Sequence, residues 1–124
     1  MRYLDKLPSS LRKQFPMYSG LKAYFPDALA FVSFVSWVGN QKHNPGQPLH
    51  WDRGKSMDHL DCIERHMDTV NEWETISLQE VGYDVVVPHR AYVAWRALAE
   101  LQMWMEKEFN LSPPPNAVDP DEPA

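Results

Sequence analysis

PHRAYVAWRALAELQMWMEKEF, Pro88 to Phe109, is the stretch that decides the fold class. Its opening proline suits a first helical position, where the missing amide hydrogen has no partner in any case and φ is already set. Behind it Ala91, Ala94, Trp95, Leu98, Leu101 and Met105 recur at the three- and four-residue steps of one helix face. The spacing predicts a helix running to about Phe109, with Trp95 in the core. His89, Arg96 and Glu100, with Tyr92 or Val93, make a polar strip on the same helix.

Two further helices are predicted upstream. Pro26 and Asp27 open a segment to Val38 that is apolar almost all round, with Gly39 and Asn40 as a C-cap, which predicts a buried central helix. Ser56 can cap a second one, in which Met57, Leu60, Ile63, Met67 and Val70 keep helical spacing to about Asn71. Between them QKHNPGQPLHWDRGK, Gln41 to Lys55, is too rich in Pro, Gly and Asn for regular structure and reads as a long basic loop. The β-branched run TISLQEVGYDVVV, Thr75 to Val87, allows a short hairpin or an extended crossing. The expected fold is mainly α: a small helical bundle with a long basic loop and room for a short β-hairpin. An irregular arm over residues 1–20 precedes a single helical domain over 21–110. The proline-rich, acidic segment 111–124 is expected to be disordered.

Bulk properties narrow the function. A chain of 124 residues, 44% hydrophobic, fills one modest core. A net charge of −5 disfavours general nucleic-acid binding, so any phosphate site must be local. The lone Cys62 cannot form an intramolecular disulfide, and cytoplasm is the expected compartment. YFPDALAFVSFVSWVG, Tyr24 to Gly39, is too short for a bilayer and carries Asp27, so no membrane association is expected.

The chemistry concentrates in HWDRGKSMDHLDCIERH, His50 to His66. On a helix His59, Ile63 and His66 share a stripe beside Asp58, Asp61, Cys62 and Arg65. Asp58, Asp61 and Glu64, at successive three-residue steps, could hold a divalent ion through oxygen while leaving water positions open; the plainer reading is a solvated face with Asp61 paired to Arg65. Lys42, His43, Arg53 and Lys55 in the loop, Arg65 on the second helix and Arg96 on the third would make an anion pocket if they converge. Dispersed, they only solubilise the surface. Trp51 and Tyr18 are either base-stacking rings beside the basic loop or ordinary surface aromatics.

Three phrases in fixed order, YSGLKAYFPDAL (Tyr18 to Leu29), KHNPGQPLHWDRGKSMDHLDCIERH (Lys42 to His66) and PHRAYVAWRALAELQ (Pro88 to Gln102), resemble a family of small bacteriophage proteins named for a dATP/dGTP diphosphohydrolase N-terminal domain. The resemblance implies a helical protein that handles purine deoxynucleoside triphosphates, some relatives releasing pyrophosphate and leaving the monophosphate, with Mg²⁺ or Mn²⁺, in the host cytoplasm. Where this chain has Tyr92, some relatives carry a histidine.

The expected activity is metal-dependent hydrolysis of dATP or dGTP. Asp58, Asp61 and Glu64 would hold the metal, Lys42, Arg53, Lys55, Arg65 and Arg96 the phosphates, and His59, His66 and His89 would handle protons. The rival reading is a phage protein that binds a nucleotide or a host protein without catalysis. A third is an interaction module whose large apolar residues, Trp37, Trp51, Trp73, Trp104 and Phe109, partly form a homo-oligomer interface.

Overall fold

The computed structural model describes residues 2–55 and 57–119. The first twenty-odd residues form short turns: a 3₁₀ turn at Tyr3–Lys6, one helical turn α1 (Ser9–Arg12) and a π turn at Tyr18–Lys22. Tyr3 anchors the arm between the rings of Phe15 and Phe109, at 6.2 and 5.5 Å.

Helix α2 spans Pro26–His43, with Pro26 in its first turn and Asp27 favourably placed against the helix dipole. It does not stop at Gly39 and Asn40 as the C-cap reading predicts. The stop comes at Asn44, because Pro45 disfavours helical backbone in the residue before it, and Gly46 follows at φ 78°. The loop then carries a two-residue strand β1 (Trp51–Asp52) and a 3₁₀ turn at Arg53–Lys55. Helix α3 spans only His59–Asp68, shorter at both ends than predicted; Ser56, the predicted cap, lies outside the described residues.

Strands β2 (Trp73–Leu78) and β3 (Tyr83–Pro88) form an antiparallel hairpin, Trp73 opposite Pro88 and Leu78 opposite Tyr83. Gly82 takes the positive φ of 65° that its turn requires. Side chains alternate, so Ile76, Val85 and Val87 face inward. Val87 is fully buried and meets Val35 of α2 and Ala91 of helix α4 (His89–Glu108), with Phe31, Phe34 and Trp95 packed around them.

Helix α4 packs against both α3 and α2. Its inward residues are Ala91, Trp95 and Ala99, four apart, and not the predicted leucines: Leu98 and Leu101 are 51% and 49% exposed. Small residues win the buried face because they let α2 and α3 approach the helix axis, and the leucines are left on the far side. At its end Asn110 adopts φ 52° while the Leu111 amide donates to the Glu106 carbonyl, the Schellman arrangement that stops a helix.

Composition predicts no order from residue 111 onward, yet residues 111–119 return along the loop, and strand β4 (Ala117–Val118) pairs in parallel with β1. Ala117 is buried there, and the Trp51 amide donates to the Asn116 carbonyl at 2.7 Å. Backbone pairing supplies what the tail's polar composition does not. Beneath it Arg53, 3% exposed, donates two 2.7 Å hydrogen bonds to Glu106 of α4, lies 4.3 Å from the Trp51 ring and reaches Asp119 at 3.6 Å.

Removing one partner of such a buried pair leaves a desolvated charge uncompensated. Glu106→Ala is expected to lower the unfolding free energy by about 3 kcal/mol, read from urea denaturation, whereas Glu108→Ala on the exposed side should change it by less than about 0.5 kcal/mol.

Candidate functional site

A cleft of about 510 Å³ lies between the second half of α2, the loop that follows it, the end of α3 and the first two turns of α4, and residues of the 114–117 segment form part of its rim. Its volume falls within the range of small-molecule sites. Three of the five predicted phosphate ligands border it: Lys42 on the last turn of α2, Lys55 at the end of the loop, and Arg96 on α4. His66 of α3 and His89 of α4 also border it, so imidazoles and guanidinium from separate helices do meet around one hollow.

The histidine geometry is specific. The His66 ring stacks flat on Tyr92, with centroids 5.0 Å apart and planes 12° apart, and stands edge-on to His89 at 5.5 Å. Thr69 Oγ1 lies 2.7 Å from His89 Nδ1 and uses its own hydrogen on the His66 carbonyl at 3.4 Å. Thr69 thereby holds the His89 ring through Nδ1. Burial first, then the nearby His89 and Arg96 charges, push His66 below the ordinary histidine value, so its imidazole is neutral at pH 7. Tyr92 donates its hydroxyl to Glu74 Oε1, and burial followed by that carboxylate raises its pKa far above the usual phenol range.

His59 has a different place. It is 5% exposed and stands behind the cleft wall, where its Nδ1 accepts from Arg96 Nη1 at 3.0 Å. Arginine has no acceptor, so Nδ1 carries no hydrogen, and burial followed by the Arg96 charge lowers the His59 pKa. A neutral His59 orients Arg96 and does not reach the cleft itself. The predicted role in proton transfer would need it on the cleft, and it stands behind the wall.

Other predicted ligands do not join the group. Arg53 is committed to Glu106. Arg65 points outward to Asp58 at 3.0 Å and to Cys62 Sγ at 3.0 Å, and it holds the Asp58 carboxyl at about 2. Asp58, Asp61 and Glu64 do not fit a resident Mg²⁺ or Mn²⁺: among the described residues, no group of three or more His, Cys, Asp or Glu side chains is placed to hold a metal ion. Three-residue steps each turn about 60° backward round the helix, and the first and last carboxylates stand roughly 9 Å apart along the axis. Tyr18 is 75% exposed on the arm and does not border the cleft, whereas Trp51 does, edge-to-face with Trp95 at 5.9 Å. Trp95, read from sequence as core, spans core and cleft, its Nε1 donating to Ser36 Oγ at 2.7 Å.

His43, named with the basic loop cluster, borders the cleft as well, and so do His50, Glu74 and Tyr92, to which no site role was given. His43 and Tyr92 carried a signal, one within the basic loop cluster and one on the polar strip of α4. Glu74 carried none, since it arrives from the hairpin across the chain.

No family model matches the chain, and no curated protein or solved structure matches it either. Among the described residues, no helix is long and apolar enough to cross a membrane.

The pKa directions of His59 and His66 have a definite sign. Both are lowered on folding, so the native state binds fewer protons; their stabilising contribution is complete above about pH 6.5 and shrinks as pH falls toward the native values. Histidine Cε1–H resonances followed by NMR should titrate below pH 6.5 for both residues, and Arg96→Met should move both midpoints upward. The urea midpoint should drop between pH 7 and pH 5.

Proposed function

We propose that the cleft binds a purine deoxynucleoside triphosphate by its phosphates and hydrolyses it to the monophosphate and pyrophosphate. The observation that carries this reading is the convergence of Lys42, Lys55 and Arg96 with the His66–His89 pair on one hollow bordered by Trp51 and Trp95. Cations gathered on one hollow of a chain whose net charge is −5 make a local field that attracts an anion. The tryptophans supply apolar surface for a base, and the order of phrases resembling the phage diphosphohydrolase family indicates which base class to test first.

In the proposed reaction water adds to the α-phosphorus, the bond from that phosphorus to the bridging oxygen breaks, and pyrophosphate leaves. Neutral His66 accepts the water proton, and Arg96, held by His59, together with the two lysines, faces the charge growing on the phosphate oxygens. Binding without turnover is the second reading, and the same residues would carry it.

Self-association belongs to the same proposal. A 14.4 kDa monomer exposes roughly 6,800 Å², whereas this chain exposes 9176 Å². The excess is larger than the roughly 800 Å² that a standard interface covers on each partner, so it leaves room for one. Leu98, Leu101 and Trp104, on the outer side of α4, supply an apolar stripe for a second copy.

Pyrophosphate release from each deoxynucleoside triphosphate, with and without Mn²⁺, tests the hydrolysis. Release from dATP or dGTP that falls by at least about a hundredfold in His66→Gln, with binding kept, is the expected result. Intact nucleotide in every metal with tight binding would leave the non-catalytic reading, and no binding at all would end both. Lys42→Ala and Lys55→Ala should each weaken binding about tenfold, against no change in Lys107→Ala. Sedimentation across a dilution series is expected to show a dimer that Leu101→Lys converts to monomer.

A further inference from the structure

Gly39 is a glycine without a reason in the folded chain. It lies inside α2, four residues before the helix ends at His43, so it does not cap the helix, and its φ is not among the positive values. Glycine in a helix interior is less favourable than alanine by about a factor of five in equilibrium. Packing does not call for it, since a Cβ built there would meet nothing within 4 Å. The open space beside it is the cleft, whose wall Gly39 forms.

Asn40, the next residue, adds an independent observation. It borders the same cleft yet is only 4% exposed. Its Nδ2 donates to the Gln47 carbonyl at 3.1 Å, which fixes the amide orientation, because the flipped amide would set oxygen against oxygen. Its Oδ1 is buried and accepts no hydrogen bond among the described residues. A buried acceptor left in that state is costly, and it marks a position where a donor is missing.

We infer that Gly39 and Asn40 form the nucleobase slot of the cleft: the absent side chain lets a flat ring lie against α2, and Asn40 Oδ1 accepts an N–H from the edge of that ring. This rests on the reading of the cleft as a nucleotide site and adds which part of it reads the base. The chemistry selects a base carrying an amino group or ring N–H on the edge presented to Asn40, which adenine and guanine both offer and unsubstituted purine does not. A methyl group at position 39 would occupy the plane of the ring without touching the phosphate ligands.

Gly39→Ala gives two readouts of opposite sign. The melting temperature should rise by roughly 2–5 °C, while affinity for the better-bound of dATP and dGTP falls by at least about tenfold. Inorganic tripolyphosphate, which has no base, should bind wild type and Gly39→Ala equally. Unsubstituted purine deoxyriboside triphosphate should bind wild type about tenfold more weakly than the preferred nucleotide, and Asn40→Ala should abolish that difference. Gly39→Ala binding the nucleotide as tightly as wild type, or the unsubstituted analogue binding as well as dATP and dGTP, would overturn the slot while leaving a phosphate site in place. Failure of both tripolyphosphate and nucleotides to bind wild type would instead overturn the nucleotide reading itself.

Discussion

The ion pair between Arg53 and Glu106 is the constraint on which the shape of the site depends. Burial alone would push the Glu106 carboxyl up, but the two Arg53 hydrogen bonds and the Gln102 amide outweigh it and leave it ionised below its ordinary range. A loop rich in proline and glycine has little apolar surface with which to hold itself against a helix. One desolvated guanidinium, stacked on Trp51 and forked onto α4, does that work, and it brings the Asp119 end of the tail with it. Without this anchor, Trp51 and Lys55 on one side and His89 and Arg96 on the other would have no fixed separation.

Charge in the cleft is managed by neutralising what lies closest to it. Burial lowers the pKa of both His66 and His59, so two imidazoles sit near Arg96 with little added repulsion at neutral pH. Glu74 is engaged by Tyr92, whose raised pKa keeps its hydroxyl a donor. The positive charges that border the cleft are the two exposed lysines and the half-buried Arg96, set against the carboxylates of Asp52 and Glu74. Asp58 and Arg65, by contrast, neutralise each other in solvent on the outer side of α3, where their pairing contributes little to stability.

Helix α4 joins these two parts. Its alanines set the close packing against α2 and α3, and its polar strip of His89, Tyr92 and Arg96 faces the hollow that such packing leaves open. Trp95 stands between the two roles, ring against the Val35–Val87–Ala91 cluster and indole nitrogen on Ser36 of α2. The buried core is correspondingly small, which is the cost of opening a cavity of this size in a chain of 124 residues.

Periodicity and turn chemistry were enough to read three main helices and the polar strip on α4, because those features depend on neighbours within a few residues; for Thr75 to Val87 they left a hairpin and an extended crossing open, and strand pairing across the Gly82 turn decided between them. The pooling of Lys42, Lys55, His66, His89 and Arg96 was foreseeable as a grouping of residue types. Which basic residues would stay out of it was not, since Arg53 is claimed by Glu106, fifty-three positions away, and Arg65 by the Asp58 carboxylate at the start of its own helix. Tertiary packing likewise chose alanine over leucine for the buried side of α4, carried α2 past Gly39, and paired part of an acidic tail with the loop. Local sequence specifies which way a helix can present its side chains; only the assembled elements decide which surface another element reaches first, and so which groups are left facing a ligand.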